Sequence, residues 1–267
     1  MTDAATLDLH VLDMACEAQS EATPLVVIHG LMGSADNWRS HLKVWQRTRR
    51  VIAVDLRNHG RSPHGDDMRY ATMSQDVLAL MDKLSIHQAH ILGHSMGGKV
   101  AISLARMAPE RVVSLLVGDI APVAYQHGHD DVFAALERVR DTLPKNRREA
   151  DDLMAEHVKA RSTRLFLATN LVRGDNGMEL RVGLDEIKRG YSDIIGPPAG
   201  DVPFEGPTLV LRGSESHYVT DDMLPALRAV LPKARVVTLK QAGHWLHAEQ
   251  PEAFQQAVDA FITHHDR

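Results

Sequence analysis

Residues 91–98 read Ile91-Leu92-Gly93-His94-Ser95-Met96-Gly97-Gly98, and they set the fold class. The stretch opens as the end of an apolar run, 89–92, with the character of a buried strand. It passes through Gly-x-Ser-x-Gly and continues as Lys99-Val100-Ala101-Ile102-Ser103-Leu104-Ala105, a helical composition. A glycine-rich turn holding a serine would, alone, be an ordinary loop. A strand before it and a helix after it make it a nucleophile elbow. So sharp a turn brings strand and helix close together, and Gly93 and Gly97 leave room where a Cβ would clash. Ser95 then sits on a strained, exposed tip, and the Met96 N–H opens a helix whose positive end faces the reaction.

Outward from the elbow, apolar runs recur at 24–28, 51–55, 112–117, 207–212 and 234–239. Continuous β-branched runs of this kind suit strands buried on both faces. Helical spacing recurs between them, at about 35–47, 72–84, 221–230 and 251–264. An alternating edge strand is expected at 7–11. Strand and helix in alternation predict an α/β protein with a mostly parallel, doubly wound sheet. In such sheets ligands gather beyond the carboxyl ends of the strands, where His29, Asp55, Ser95 and Asp119 fall.

The alternation breaks between 123 and 200. No strand is expected there; 132–139, 150–159, 164–171 and 184–192 read as short amphipathic helices, with turns at Asn176-Gly177 and Pro197-Pro198. The resumed strand pattern and the lack of linkers predict a helical cap at 123–200, inserted in a core formed by 1–122 and 201–267. A cap of this kind usually covers the site.

The composition is 44% hydrophobic and 24% charged, with a net charge of −5, and gives no reason to expect a nucleic-acid partner. The basic run 145–148 is followed at once by acids and reads as solvated surface. Cys16 is the only cysteine, which excludes an intramolecular disulfide and a cysteine-based metal site. The opening residues lack the basic and apolar regions of a signal peptide, and no apolar run is long enough to span a bilayer. A cytoplasmic protein without a membrane partner is the expectation, as a monomer or small homo-oligomer.

A serine hydroxyl needs a base, and the base needs an orienting group. With this elbow the order along the chain is serine, acid, histidine. His244 lies in a glycine-containing turn between the last strand and the closing helix. His247, three residues on, is expected at the surface or packed near the helix start, and the His94 side chain is expected to point away from Ser95. The acid has two candidates. The loop after 207–212 reads Gly213-Ser214-Glu215-Ser216, with serine where a Gly-x-x-Asp pattern would put aspartate, so Glu215 is its acid. Asp119, ending the strand after the nucleophile helix, is favoured because that strand should neighbour the nucleophile's own. The oxyanion needs two preset donors, assigned to the Leu31 and Met96 N–H groups. Asp55, Arg57, Asn58 and His59 are expected to hold loops in place. His127-x-His129, His244-x-x-His247 and His264-His265 lack the i, i+4 spacing of a helical metal site, so neither metal nor cofactor is expected.

His29-Gly-Leu-Met-Gly-Ser34, Asp55-Leu-Arg-Asn-His-Gly60, Gly93-His-Ser-Met-Gly-Gly-Lys99, Asp119-Ile-Ala-Pro122 and Ala242-Gly-His-Trp-Leu-His-Ala248 together resemble the α/β-hydrolase superfamily. More narrowly, they look like the small bacterial esterases of the YbfF type, with the likeness carried by the core. The resemblance implies the α/β-hydrolase fold, no cofactor, and Asp119 as the acid. It also implies hydrolysis of small carboxylic esters, and acyl thioesters besides. Haloalkane dehalogenases are similar but use an aspartate nucleophile. The expectation is a serine carboxylesterase. The alternatives are a carbon–carbon bond hydrolase or a menaquinone-type lyase with the same triad, or a small-molecule binding module. The first two would want cap cations, for which Arg161, Arg164, Arg173 and Arg181 are available.

Overall fold

A computed structural model describes residues 5–18 and 20–266. Residues 1–4, part of the stretch on which the expectation about a leader rests, lie outside the described residues. Strands β1 (Val11–Met14), β2 (Leu25–Ile28), β3 (Val51–Val54), β4 (Ala89–His94), β5 (Val112–Gly118), β8 (Thr208–Gly213) and β9 (Ala234–Leu239) form one sheet. Between β5 and β8 the chain forms a separate two-stranded ribbon, β6 (Leu171–Arg173) and β7 (Met178–Leu180). The order in the sheet is β1-β3-β2-β4-β5-β8-β9, and only β1 runs antiparallel.

Both faces of the sheet are covered, which is why its inner strands carry no polar alternation. Leu25, Val27, Ala53, Leu92, Leu116 and Leu211 point to one face. There they pack on Trp38, on Leu42 and Trp45 of α1 (Arg39–Trp45), and on Phe254 and Val258 of the last helix, α10 (Pro251–His265). Val26, Ile28, Ile52, Ile91, Leu115 and Val210 point to the other. They meet Met73 and Val77 of α2 (Tyr70–Lys83), Val100 and Leu104 of α3 (Met96–Met107), and Leu227 of α9 (Leu224–Val230). Each such aliphatic side chain contributes about 1.5–3 kcal/mol by leaving water, so four consecutive buried residues in β2 anchor it firmly.

Between β5 and β8 the chain forms α4 (Asp130–Thr142), α5 (Arg147–Met154), α6 (Arg161–Leu167), the β6–β7 ribbon, α7 (Leu184–Arg189) and α8 (Tyr191–Ile195). Several expectations need correction. The ribbon is a strand pair where none was expected, because three-residue strands are too short to show a period of two. It also takes Leu171, read as the end of a helix; α6 stops at Leu167 and a 3-10 turn follows. The 184–192 segment is two helices, parted at Gly190, where a Cβ would run into Met68. The edge strand is also shifted, to Val11–Met14 from the expected 7–11, because it pairs in register with Val51–Val54.

The segment returning from α8 to β8 lies along one flank of α3. Lys99 donates to the Ile195 and Gly196 carbonyls, Ser103 Oγ accepts from the Ala199 N–H, and Arg106 donates to the Ala199 and Val202 carbonyls. Positions 99, 103 and 106 share a helix face.

Candidate active site

Ser95 stands between β4 and α3 with φ 53° and ψ −122°, a conformation that costs a non-glycine residue about 1–3 kcal/mol. The surroundings hold it there. Its N–H donates to the Gly118 carbonyl (2.8 Å), and its carbonyl accepts from the Gly98 and Lys99 N–H groups. A Cβ at Gly93 would overlap the Gly97 carbonyl, and one at Gly97 would overlap the His29 carbonyl. No side chain fits either place, so the pentapeptide needs its glycines for packing as well as for the turn.

His244, in the turn after β9, brings Nε2 to 2.9 Å from Ser95 Oγ and Nδ1 to 2.8 Å from Asp119 Oδ2. Asp119 follows β5 with φ 49° and is fully buried. Its Oδ1 accepts from the Gly213 N–H (3.1 Å), and its Oδ2 also accepts from Ser216 Oγ. Glu215 is exposed, and its backbone N–H is tied to the Ala242 carbonyl, so its carboxylate is not among His244's partners. Ser216, at the position where the loop pattern would place an aspartate, instead donates to Asp119. Tyr218 stacks on the His244 ring at 4.0 Å between centroids, flanking the imidazole. Sequence reasoning passed over both roles, because each depends on β5 and β8 lying side by side.

Residues 29–33 form the loop opposite. His29 Nδ1 donates to the Gly30 carbonyl (2.7 Å), and its Nε2 accepts from the Leu56 N–H (3.0 Å). These two partners fix the tautomer. They also fix the Gly30–Leu31 peptide: with its carbonyl held toward His29, its N–H points the other way. Asn170, from beyond α6, donates to the Met32 carbonyl and steadies the far end of the loop. Among the described residues, neither the Leu31 nor the Met96 N–H donates to a protein acceptor.

The histidines nearby are buried, and burial holds them neutral. His94 donates from Nε2 to the His244 carbonyl (2.7 Å), so its ring backs the His244 turn, and desolvation lowers its pKa to about 3. His247 is buried rather than exposed; it stacks on Trp38 at 4.5 Å, and desolvation pushes it well below its ordinary value. His29 is lowered by the same cause.

Two cavities meet at Ser95. One, of about 230 Å³, is lined by the 29–33 loop, His244 and Trp245, and by Phe166 and Leu167 of α6. The other, of about 580 Å³, is lined by Met96 and Lys99 of α3, Tyr70, Tyr125, and Tyr191 of α8. Leu31, Ser95, His129 and Tyr218 border both.

The model of the alpha/beta hydrolase family matches residues 25–257. The chain belongs to this family. It is 34% identical to the esterase YbfF of Escherichia coli, over 96% of this chain and all of that protein. It is 38% identical to a zebrafish (Danio rerio) protein named sn-1-specific diacylglycerol lipase ABHD11, over 92% of this chain and 80% of that one. Among solved structures, a marine microorganism esterase superposes with a TM-score of 0.91 at 35% identity, covering 96% of this chain and all of that one. The chain is thus a hydrolase of the α/β class, with relatives named as esterases and lipases.

In this α/β hydrolase the other polar residues marked in the sequence lie away from Ser95. Asp55 accepts from the Ala35 and Arg61 N–H groups and from His10, Arg57 pairs with Asp76 through two bonds, and Asn58 exchanges two bonds with Gly65. His59 Nδ1 donates to the Arg57 carbonyl. All four brace loops. Of the four arginines marked in the 123–200 insertion, Arg164 is tied to Asp151 and Arg181 faces Asp36, and none lines either cavity. The cation that does is Lys99. Its signal was a single lysine four residues beyond Ser95, in a helix otherwise made there of small and apolar residues. Among the described residues no group of three potential metal ligands comes together, and no helix is long and apolar enough to cross a membrane.

Proposed function

We propose that the chain is a serine carboxylesterase that works through an acyl-enzyme, with residues 123–200 as its cap. The observation that carries this reading is the imidazole of His244, bonded to Ser95 Oγ at 2.9 Å on one side and to Asp119 Oδ2 at 2.8 Å on the other. Ser95 Oγ attacks the ester carbonyl as His244 Nε2 takes its proton. Asp119 keeps the imidazole in the tautomer that presents Nε2 as acceptor and stabilises the imidazolium that forms. The Leu31 and Met96 N–H groups, which lack protein acceptors, hold the oxyanion. His244 passes its proton to the leaving alcohol, then activates the water that releases the acid. No step calls for a metal or cofactor. The names of the E. coli esterase and the zebrafish lipase support ester hydrolysis, and acyl thioesters offer the same reacting carbonyl.

The test is initial rates on p-nitrophenyl esters of increasing acyl length, for wild type beside Ser95→Ala. The variant should lose about 10⁶ in kcat, and wild type should be acylated stoichiometrically at Ser95. Wild-type rates no higher than the uncatalysed blank would refute ester hydrolysis. Turnover without acylation would favour the lyase chemistry.

A further inference from the structure

The larger cavity holds a cation that the proposed chemistry does not use. Lys99 lies on the first turn of α3, four residues after Ser95, and both line this cavity. Lys99 is 1% exposed. Its Nζ donates to the Ile195 carbonyl (3.3 Å) and to that of Gly196, with the Tyr125 ring centroid at 4.6 Å and that of Tyr70 at 5.6 Å. Among the described residues, no Asp or Glu lies within ion-pair distance of it, and none lines the cavity. An ammonium has three N–H donors, and the two carbonyls account for two. Burying such a charge without a counter-ion is costly, and carbonyl dipoles and aromatic faces offset only part of that cost. Fastening the return segment to α3 would need only a neutral donor, so an ionisable amine at this buried place calls for a further reason.

Resting on the esterase reading, we infer that the half of the ester entering the larger cavity carries a carboxylate, which pairs with Lys99. One ammonium balances one carboxylate, whereas a phosphate dianion would leave a charge uncompensated among Tyr70, Tyr125, Tyr191 and Tyr218. Desolvation lowers the Lys99 pKa to about 7, and an arriving anion reverses that by restoring the charged form. The other titratable groups facing this cavity are His127, His129, His217 and those four tyrosines. Burial raises the pKa of every one of the tyrosines and so keeps them uncharged.

Two pairs of esters test this, each pair differing by one charge. Mono-p-nitrophenyl glutarate against its methyl ester puts the charge on the acyl half. 3-Acetoxybenzoate against methyl 3-acetoxybenzoate puts it on the alcohol half. Turnover of the methyl esters reports on the esterase reading, and the acid-to-methyl ratio of kcat/KM reports on Lys99. In one pair the acid should be preferred by about tenfold or more, and Lys99→Met should abolish that preference. Lys99→Arg keeps the charge and should retain the preference, which covers the case that the methionine variant fails to fold. In wild type the ratio should fall from about pH 7 to about pH 9 as the ammonium loses its proton, and Lys99→Arg should not show that fall. Any share due to the three histidines would survive in Lys99→Met. The inference is overturned if neither acid is preferred, if the preference survives Lys99→Met, or if that variant slows both members of a pair equally. If no member of either pair turns over, the esterase reading falls and this inference with it.

Discussion

The tips of β5 and β8 lie side by side in the sheet, with Gly118, the last residue of β5 and the one just before Asp119, opposite Leu211. Either tip could serve the His244 imidazole. The β5 tip carries the carboxylate, on a residue forced to φ 49°. The β8 tip carries only donors to it, the Gly213 N–H and the Ser216 hydroxyl. Glu215, one residue from that hydroxyl, points to solvent. The contrast teaches that the site fixes where a carboxylate oxygen stands relative to Nδ1, with one strand supplying the acid and its neighbour the donors that hold it. The tip that gives up the acid keeps a part in the same hydrogen-bond set.

The largest break in this contrast is Asp119→Asn, which should cost about 10⁴ in kcat, because the amide cannot enforce the tautomer or balance the imidazolium. Near-normal rates would remove Asp119 from the mechanism. Adding Ser216→Asp to that variant returns an acid to the β8 tip, within reach of the vacated position. A regain of about tenfold or more in kcat over the single variant is expected, and no regain would show that the two tips are not interchangeable. Ser216→Ala removes a hydrogen bond to a charged acceptor, worth about 1.5–3 kcal/mol, so kcat/KM should fall by about ten- to a hundredfold. Glu215→Gln should change kcat/KM by no more than about twofold, as surface substitutions do. A larger loss would give the β8 tip an acid after all.

Stability should depend on pH through the histidines behind the tips. His94 and His247 have folded-state pKa values below the ordinary 6.5, His94 about 3, because burial disfavours their charged forms. Below about pH 6.5 the unfolded chain takes up protons that the folded chain refuses, so stability is lost as pH falls toward the lowered values. Thermal unfolding followed by circular dichroism should show Tm dropping between about pH 7 and pH 5. His247→Phe, which keeps a ring on Trp38 and removes one such group, should lessen the drop; an unchanged drop would mean that His247 is not among its causes.

The elbow and the sheet were legible because their signals are local. Apolar runs such as Leu25–Ile28 and glycines that exclude a Cβ act within a few residues of chain. The partners of Ser95 were legible only as far as order along the chain goes. Asp119 is favoured over Glu215 on the expectation that its strand neighbours that of Ser95, and β5 does pair with β4. What the sequence does not display is the pairing of β5 with β8 across the whole insertion, which brings Gly213 and Ser216 to the Asp119 carboxylate. Ser216 looked like a missing acid for the same reason. The ribbon at Leu171–Arg173 and Met178–Leu180 escaped notice because three residues carry no period. Lys99 has a charge that the sequence displays and a burial that it does not. Two of the arginines that the insertion offers instead, Arg164 and Arg181, face Asp151 and Asp36.

The fastening of the return segment along α3 has a mechanical consequence. One leg of the 123–200 insertion is held by Lys99, Ser103 and Arg106 of α3, the helix that follows Ser95. The other leg leaves the sheet directly after Asp119, and Tyr125 ties it down by accepting from the Ala121 N–H and donating to the Tyr218 carbonyl. Both legs are therefore rooted in parts that carry members of the Ser–His–Asp set. On the proposed reading, residues 123–200 cap a site built on Ser95 and Asp119. Opening of that cap, on the microsecond-to-millisecond scale of such lids, would also pull on the seats of both residues, so gating and alignment would share one coordinate.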